Sequence, residues 1–234
     1  MDILRYKSLL RHQKKFIFDF QKYAEPITDS FYAKMNFVNP LAVNWKSYMN
    51  FFENYYDPTV KKRNLIVGLN PGKNGANKTG VPFTDPTNAH DHLGMANCKS
   101  DTVRESSSEK LFPLFLKSFN GDMHAFFNHY HLANILPYGV TQRKTFETNV
   151  GFLELMKIPQ LKKEAEYNLE NMISIFAPEY IIAVGSKSYD FIRKFVHRNY
   201  DNIIVVQGAH PSRDSQFTEI EKRRWLYLLK KLLI

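Results

Sequence analysis

The stretch Asn64-Leu65-Ile66-Val67-Gly68-Leu69-Asn70-Pro71-Gly72 decides the fold. A short apolar run, Leu65-Ile66-Val67, ends abruptly at glycine. Beyond it, residues 68–86 hold four Gly and three Pro in 19 positions, a density that no element interior tolerates. Irregular backbone directly after an apolar run is expected at the carboxyl end of a parallel strand, where open α/β sheets bind ligands.

Three further runs match the first. Tyr130-His131-Leu132-Ala133-Asn134-Ile135-Leu136 reads as a strand stopped by Pro137. Tyr180-Ile181-Ile182-Ala183-Val184 reads as another, and Ile203-Ile204-Val205-Val206 as a fourth, running into Gly208-Ala209-His210-Pro211-Ser212. Segments of helical periodicity surround them: 8–24, 44–56, 160–176, 187–197 and 217–233. Ser106-Ser107-Ser108-Glu109 has the pattern of a helix start before Leu111-Phe112, and Ser186 that of a cap. Strands alternating with helices predict a three-layer α/β/α fold around a four-stranded, mainly parallel sheet. We expect a single domain over 1–234, with residues 1–60 a helical extension packed on it. Both irregular loops, and Asn134, fall at strand carboxyl ends, which parallel strands gather on one sheet edge.

Composition narrows the function. Across 234 residues, 44% are hydrophobic and 15% aromatic, enough for a core. A net charge of +9 points to a polyanionic partner. Cys98 is the only cysteine, which excludes an internal disulfide and a four-cysteine cluster. Met1-Asp2-Ile3-Leu4-Arg5-Tyr6-Lys7 lacks the apolar region of a signal peptide, and no run approaches the roughly 18 apolar residues of a membrane span. A soluble, intracellular protein is expected.

Several motifs are absent. Gly68-x-x-x-Gly72-Lys73-Asn74 is one residue short of a phosphate-binding loop and has Asn after the lysine. His90-Asp91-His92 reads as loop, a poor metal site, so no metal and no cofactor are expected.

Gly68-Leu69-Asn70-Pro71-Gly72, then Thr79-Gly80-Val81-Pro82-Phe83, and much later His210-Pro211-Ser212, resemble the paired motifs of the uracil-DNA glycosylase superfamily. The likeness is closest to its single-strand-selective monofunctional branch, and there to the bacterial second subgroup. The literal match covers some 20 residues; the strand layout extends it over about 60–234.

The resemblance implies a monofunctional hydrolase that cleaves the N-glycosidic bond of uracil, including 5-hydroxymethyluracil, in single- or double-stranded DNA, initiating base excision repair. It also implies a cytoplasmic bacterial monomer that meets the nucleoid during repair and no membrane. By this resemblance, Asn70 orients the attacking water and His210 stabilises negative charge on the base's O2. Asn134 reads the base edge and Phe83 stacks on the base. Gly72 stands where the classical uracil-specific branch has a tyrosine, leaving room at the 5-position. Lys73, Ser212, Arg213 and Gln216 would hold DNA, the last two as wedge candidates. The chain departs from the pattern after Ser212, where Arg213-Asp214-Ser215-Gln216 lacks the following proline and is short. Asp85 is the nearest candidate for a true base, against its reading as a turn residue before Pro86. Two other functions fit the same motifs: excision of hypoxanthine or xanthine, and non-catalytic recognition of damaged DNA.

Overall fold

A computed structural model describes residues 2–24, 35–98, 104–142, 150–211 and 217–233. In chain order the elements are α1 (Ile3–Ala24), β1 (Met35–Val38), α2 (Pro40–Tyr55), β2 (Asn64–Gly68), α3 (Ala76–Thr79), α4 (Pro86–Leu93), α5 (Ser106–Ser118), α6 (Met123–His129), β3 (Tyr130–Asn134), β4 (Gly139–Gln142), α7 (Phe152–Leu155), α8 (Pro159–Phe176), β5 (Tyr180–Val184), α9 (Ser186–Asn199), β6 (Ile204–Gly208) and α10 (Glu219–Lys231).

Four of the strands form one parallel sheet in the order β3-β2-β5-β6, with helices around it. The central strand β2 is buried along its whole length, as expected of a run with no polar alternation. Its start is pinned by two buried polar side chains. The Arg63 guanidinium donates to the carbonyls of Phe127 (2.6 Å) and Asp57 (2.8 Å). Asn64 accepts from the Tyr180 amide at 2.8 Å and donates to the Leu232 carbonyl at 2.5 Å. These contacts tie β2 to β5 and to the chain's last helix.

The sequence reading did not anticipate the separate antiparallel pair β1–β4. Both are four-residue strands, too short to show periodicity. Nor did it anticipate α3, α4, α6 or α7; α3 lies inside the glycine-proline segment and α4 starts at its last proline. His90 and His92 therefore stand on a helix, not a loop, and His90 pairs with Asp91 at 2.8 Å on the surface.

Helix starts differ from expectation at several points, α1 beginning at Ile3 and not at residue 8. Asn39 caps α2, accepting from the Leu41 and Ala42 amides, with Pro40 at the first helical position. The helix expected from residue 44 thus begins earlier, and Asn44 instead marks a kink within it. At α5 the capping position is Glu105, not Ser106, and no side-chain cap bond forms. At α9 it is Gly185, not Ser186.

The N-terminal helices pack on the body through specific polar contacts. A 2.5 Å hydrogen bond between Tyr6 and Tyr48 joins α1 to α2, and His12 meets Glu164 of α8 at 2.9 Å. The buried Gln13 donates to Asn168 of α8 at 2.7 Å.

Candidate active site

The site starts from main-chain pairing at two strand ends. Gly68 lies opposite Asn134 in the β2–β3 register. The pairing continues past the strands: the Ile135 amide donates to Gly68 O and the Leu136 amide to Leu69 O, both at 2.9 Å. On the other side, the Gly185 amide donates to Gly208 O at 2.8 Å. The segments after β2, β3, β5 and β6 are thereby held on one sheet edge.

Gly68 has no side chain because nothing would fit. A Cβ there would stand 2.8 Å from Asn134 Oδ1 and 2.8 Å from Phe83 Cζ. The Asn134 amide and the Phe83 ring therefore meet over a glycine, and both side chains are buried. Phe83 adopts φ = 56°, a left-handed conformation rare for a bulky residue and costing about 1–2 kcal/mol. Thr79 holds the loop in that shape, donating from Oγ1 to the Thr84 carbonyl at 2.9 Å and accepting from the Val81 amide at 3.1 Å. Gly80, at φ = 82°, turns the chain out of α3 just before.

The backbone of Asn134 is fixed from behind. Asn168 Nδ2 donates to the carbonyls of Asn134 (2.9 Å) and Ile135 (3.0 Å). Gln13 Nε2 donates to Asn168 Oδ1, and Asn39 Nδ2 donates to Gln13 O at 3.0 Å. This chain of buried amides runs from the N-terminal helices to the carbonyl of a cavity-lining residue. Such networks rigidify what they hold when every member is satisfied.

His210 is positioned from below by Trp225 and from the side by Gly185. A Cβ on Gly208 would collide with the Trp225 ring, which is fully buried beneath it. Trp225 Nε1 donates to Ala209 O at 3.1 Å. Gly185, at φ = 90°, leaves space for the imidazole: a Cβ there would lie 3.0 Å from His210 Cβ and Cδ2. His210 itself is solvent-exposed at the rim. Ser106 of α5 reaches the Pro211 carbonyl at 3.4 Å, bringing that helix's first turn to the rim.

Between these parts lies a cavity of about 240 Å³. Asn70, Gly72, Phe83, Asn134 and His210 all line it. Five of the residues singled out in the sequence thus come together from four separate segments. Lys73 is exposed beside Gly72 and does not line the cavity. Ser212, Arg213 and Gln216 lie outside the described residues.

One wall escaped the sequence reading. The carboxyl of Glu105 occupies the space that the missing side chains of Gly72 and Gly75 leave; a Cβ at either would collide with it. The room ascribed to Gly72 is therefore filled, in the direction of its absent Cβ, by Glu105. Burial pushes the Glu105 carboxyl's pKa up; the Ser107 hydroxyl and Ala76 amide oppose that shift, and Asp85 adds to it. Its Oε2 is buried with no hydrogen-bond partner. A sequence signal existed in the paired glycines 72 and 75, but what they made room for lies some 30 positions further on.

Asp85 takes the turn role. It is fully buried, caps α4 by accepting from the Asn88 amide at 2.9 Å, and pairs with Arg104 at 2.7 Å. It does not line the cavity.

Among the described residues, no group of His, Cys, Asp and Glu could hold a metal ion, and no helix is long and apolar enough to cross a membrane. The cavity's polar side chains are two amides, an imidazole, a carboxyl and two serines, which suit a small planar ligand with hydrogen-bonding edges.

Comparison with known proteins identifies the family. The chain is 21% identical over 188 residues to the single-strand selective monofunctional uracil DNA glycosylase of Bos taurus, covering 74% of this chain and 68% of that protein. The crystal structure of Pedobacter heparinus SMUG2 superposes with a TM-score of 0.68 at 20% identity, covering 85% of this chain and 86% of the other. The family model of the uracil DNA glycosylase superfamily matches residues 54–229. The chain belongs to the uracil DNA glycosylase superfamily.

Proposed function

We propose that this protein is a monofunctional glycosylase that hydrolyses the N-glycosidic bond of uracil, and of 5-hydroxymethyluracil, in DNA, as the first step of base excision repair. The observation that carries the reading is the convergence of Asn70, Phe83, Asn134 and His210 on one cavity large enough for a single base.

A base stacked in DNA is out of reach of such a cavity, so the nucleotide must flip out, at a cost of a few kcal/mol. Phe83 then stacks on the base face, worth about 1–3 kcal/mol. The Asn134 amide accepts from N3–H and donates to O4. Cytosine presents the opposite polarity at that edge and leaves buried groups unpaired, at roughly 1–3 kcal/mol each. The bond between C1′ and N1 breaks with its electron pair leaving on the base, and the sugar becomes cation-like. His210 donates a hydrogen bond to O2 as negative charge collects there, a stabilisation of about 3–4 kcal/mol by analogy with other oxyanion donors. Asn70 orients water toward C1′; its amide accepts a hydrogen bond but takes no proton at neutral pH. Catalysis by Asn70 is therefore orientation more than base chemistry, and the water's proton passes to solvent or to the departing base.

The net charge of +9 supports contact with the phosphate backbone. Lys73, Ser212, Arg213 and Gln216 are the proposed contacts, in a monomer that works in the cytoplasm.

The test is a gel assay on single-stranded oligonucleotides carrying one uracil, one hypoxanthine or one xanthine. Abasic product from the uracil strand is expected. Product only from the purine strands would transfer the reading to deaminated purines. Binding with no product from any strand, at enzyme excess, would leave a damage-recognising binder.

A further inference from the structure

We infer that Glu105 is a specificity-determining residue: its carboxyl forms the wall that faces the base's 5-position and accepts a hydrogen bond from a hydroxyl carried there. The inference rests on the uracil-excising reading above and names the feature that sets its substrate range.

In that reading Asn134 takes the N3–H and O4 edge, His210 takes O2, and Phe83 covers the ring face. The edge that remains is C5–C6. The lining left to meet it includes Gly72, with the Glu105 carboxyl behind it, beside Pro71, Ala76, Ser106 and Ser107. Gly72 and Gly75 have no side chains in the space the carboxyl occupies, so this placement is built into the loop and not a chance surface rotamer. Oε1 is the oxygen turned toward Gly72, which lines the cavity, whereas Oε2 is turned toward Gly75 and has no hydrogen-bond partner. Oε1, beside a cavity-lining glycine, is the acceptor that a hydroxyl entering there would meet. Ionised or protonated, the carboxyl keeps a lone pair for an incoming O–H.

The consequence for specificity follows from chemistry. Thymine differs from uracil only by a 5-methyl group. Pressed against this wall, the methyl would exclude water from the carboxyl and offer no hydrogen bond. A 5-hydroxymethyl group would satisfy it. Sites built to hydrogen-bond a substrate hydroxyl reject analogues that lack it more sharply than apolar pockets reject an extra methylene. Glu105 thus makes a polar wall, admitting 5-hydroxymethyluracil while sparing the normal base.

Single-turnover excision tests this on single strands carrying uracil, 5-hydroxymethyluracil, thymine or 5-ethyluracil, the last being nearly isosteric with the hydroxymethyl base but without the hydroxyl. For the wild-type chain, 5-hydroxymethyluracil should be cut at least about tenfold faster than 5-ethyluracil, with thymine slowest. Glu105→Ala should bring that ratio to within about threefold and raise thymine relative to uracil. Glu105→Gln, which keeps a carbonyl acceptor, should retain most of the ratio. Equal wild-type rates on the hydroxymethyl and ethyl bases would overturn the inference without any variant having to fold. So would an unchanged ratio in Glu105→Ala, or a uniform loss on all bases in a Glu105→Gln protein that melts like wild type. Wild-type excision of uracil alone would overturn it and leave the broader reading standing, whereas no excision of any base would sink that reading itself.

Discussion

Replacing Gly68 by alanine is the smallest change that reaches two cavity-lining side chains at once. The backbone at Gly68 is not in the left-handed region, so alanine brings no conformational strain there. The whole effect is the added methyl. It would stand 2.8 Å from Asn134 Oδ1, 2.8 Å from Phe83 Cζ and 3.1 Å from Phe83 Cε1. Ordinary carbon contacts begin near 3.5 Å, so each neighbour must retreat by roughly 0.5 Å or more. Neither has an easy path. Asn134 is anchored through Ile135 to Gly68 O and through Asn168, and Phe83 is held in its positive-φ turn by the loop that Thr79 clamps. Overpacking of a well-packed interior costs about 1–3 kcal/mol of stability, which leaves the protein folded. The catalytic cost should be larger, because displacement of a positioning group by about 1 Å lowers rates by up to roughly a hundredfold. The assay is single-turnover uracil excision together with a thermal melt. The expected outcome is a loss of about tenfold to a hundredfold in rate with a melting temperature lowered by a few degrees. Wild-type excision by a folded Gly68→Ala protein would refute the reasoning that Asn134 and Phe83 must meet over that glycine.

The other predictions concern support, stability and binding. Asn168→Ala removes the buried amide that holds the Asn134 and Ile135 carbonyls. It should cost roughly 1–3 kcal/mol for each group left unsatisfied and slow uracil excision about tenfold, with Gln13→Ala, one step further out, doing less to the rate. Equal rates in Asn168→Ala and wild type would remove the amide chain from the account. His131 is a buried neutral histidine, stacked on Phe176 and bonded to Tyr56, whose pKa burial, aided by Arg63, lowers from 6.5 to about 3. The unfolded chain therefore binds the extra proton first. Stability should be level above about pH 6.5 and fall below it, by about 2 kcal/mol at pH 5 from this group; denaturant midpoints that do not move between pH 7.5 and pH 5 would contradict this. Binding of a single-stranded oligonucleotide should weaken about tenfold or more between roughly 50 and 200 mM salt, the response of about three phosphate contacts. A flat salt dependence would detach the +9 charge from DNA binding.

Much of this was legible in the sequence, for a physical reason. β2, β3 and β5 of the parallel sheet are buried on both faces, and β6, though partly exposed, begins with three apolar residues, so each appears as an apolar run ended by a turn residue. β5 falls where expected, and β2, β3 and β6 lie within two residues of their expected ends. The clustering of Asn70, Phe83, Asn134 and His210 followed from their places at or after strand ends, because parallel strands put those ends on one edge. The strand order β3-β2-β5-β6 was not legible, since nothing local in Leu65-Ile66-Val67 records which strands it pairs with. β1 and β4 were missed because four residues are too few to show a period. α3 and α4 were missed because glycine and proline hide single turns and short helices among loop signals. Glu105 was missed for a different reason. Its role depends on three-dimensional proximity to Gly72 and Gly75, and its own neighbourhood reads only as the start of a helix. Asp85 shows the converse: its buried pairing with Arg104 makes it a fixture of α4, where sequence proximity to the motif had also suggested chemistry.

The central claim is that Asn70 and His210, 140 positions apart, act on one bound uracil. Single-turnover excision of uracil from a single-stranded oligonucleotide by Asn70→Ala and His210→Ala, each beside the wild type and each checked for folding, tests it most directly. The account predicts that each substitution lowers the rate at least about a hundredfold while the oligonucleotide still binds. Wild-type rates in both folded variants would contradict it and put the chemistry elsewhere on the molecule.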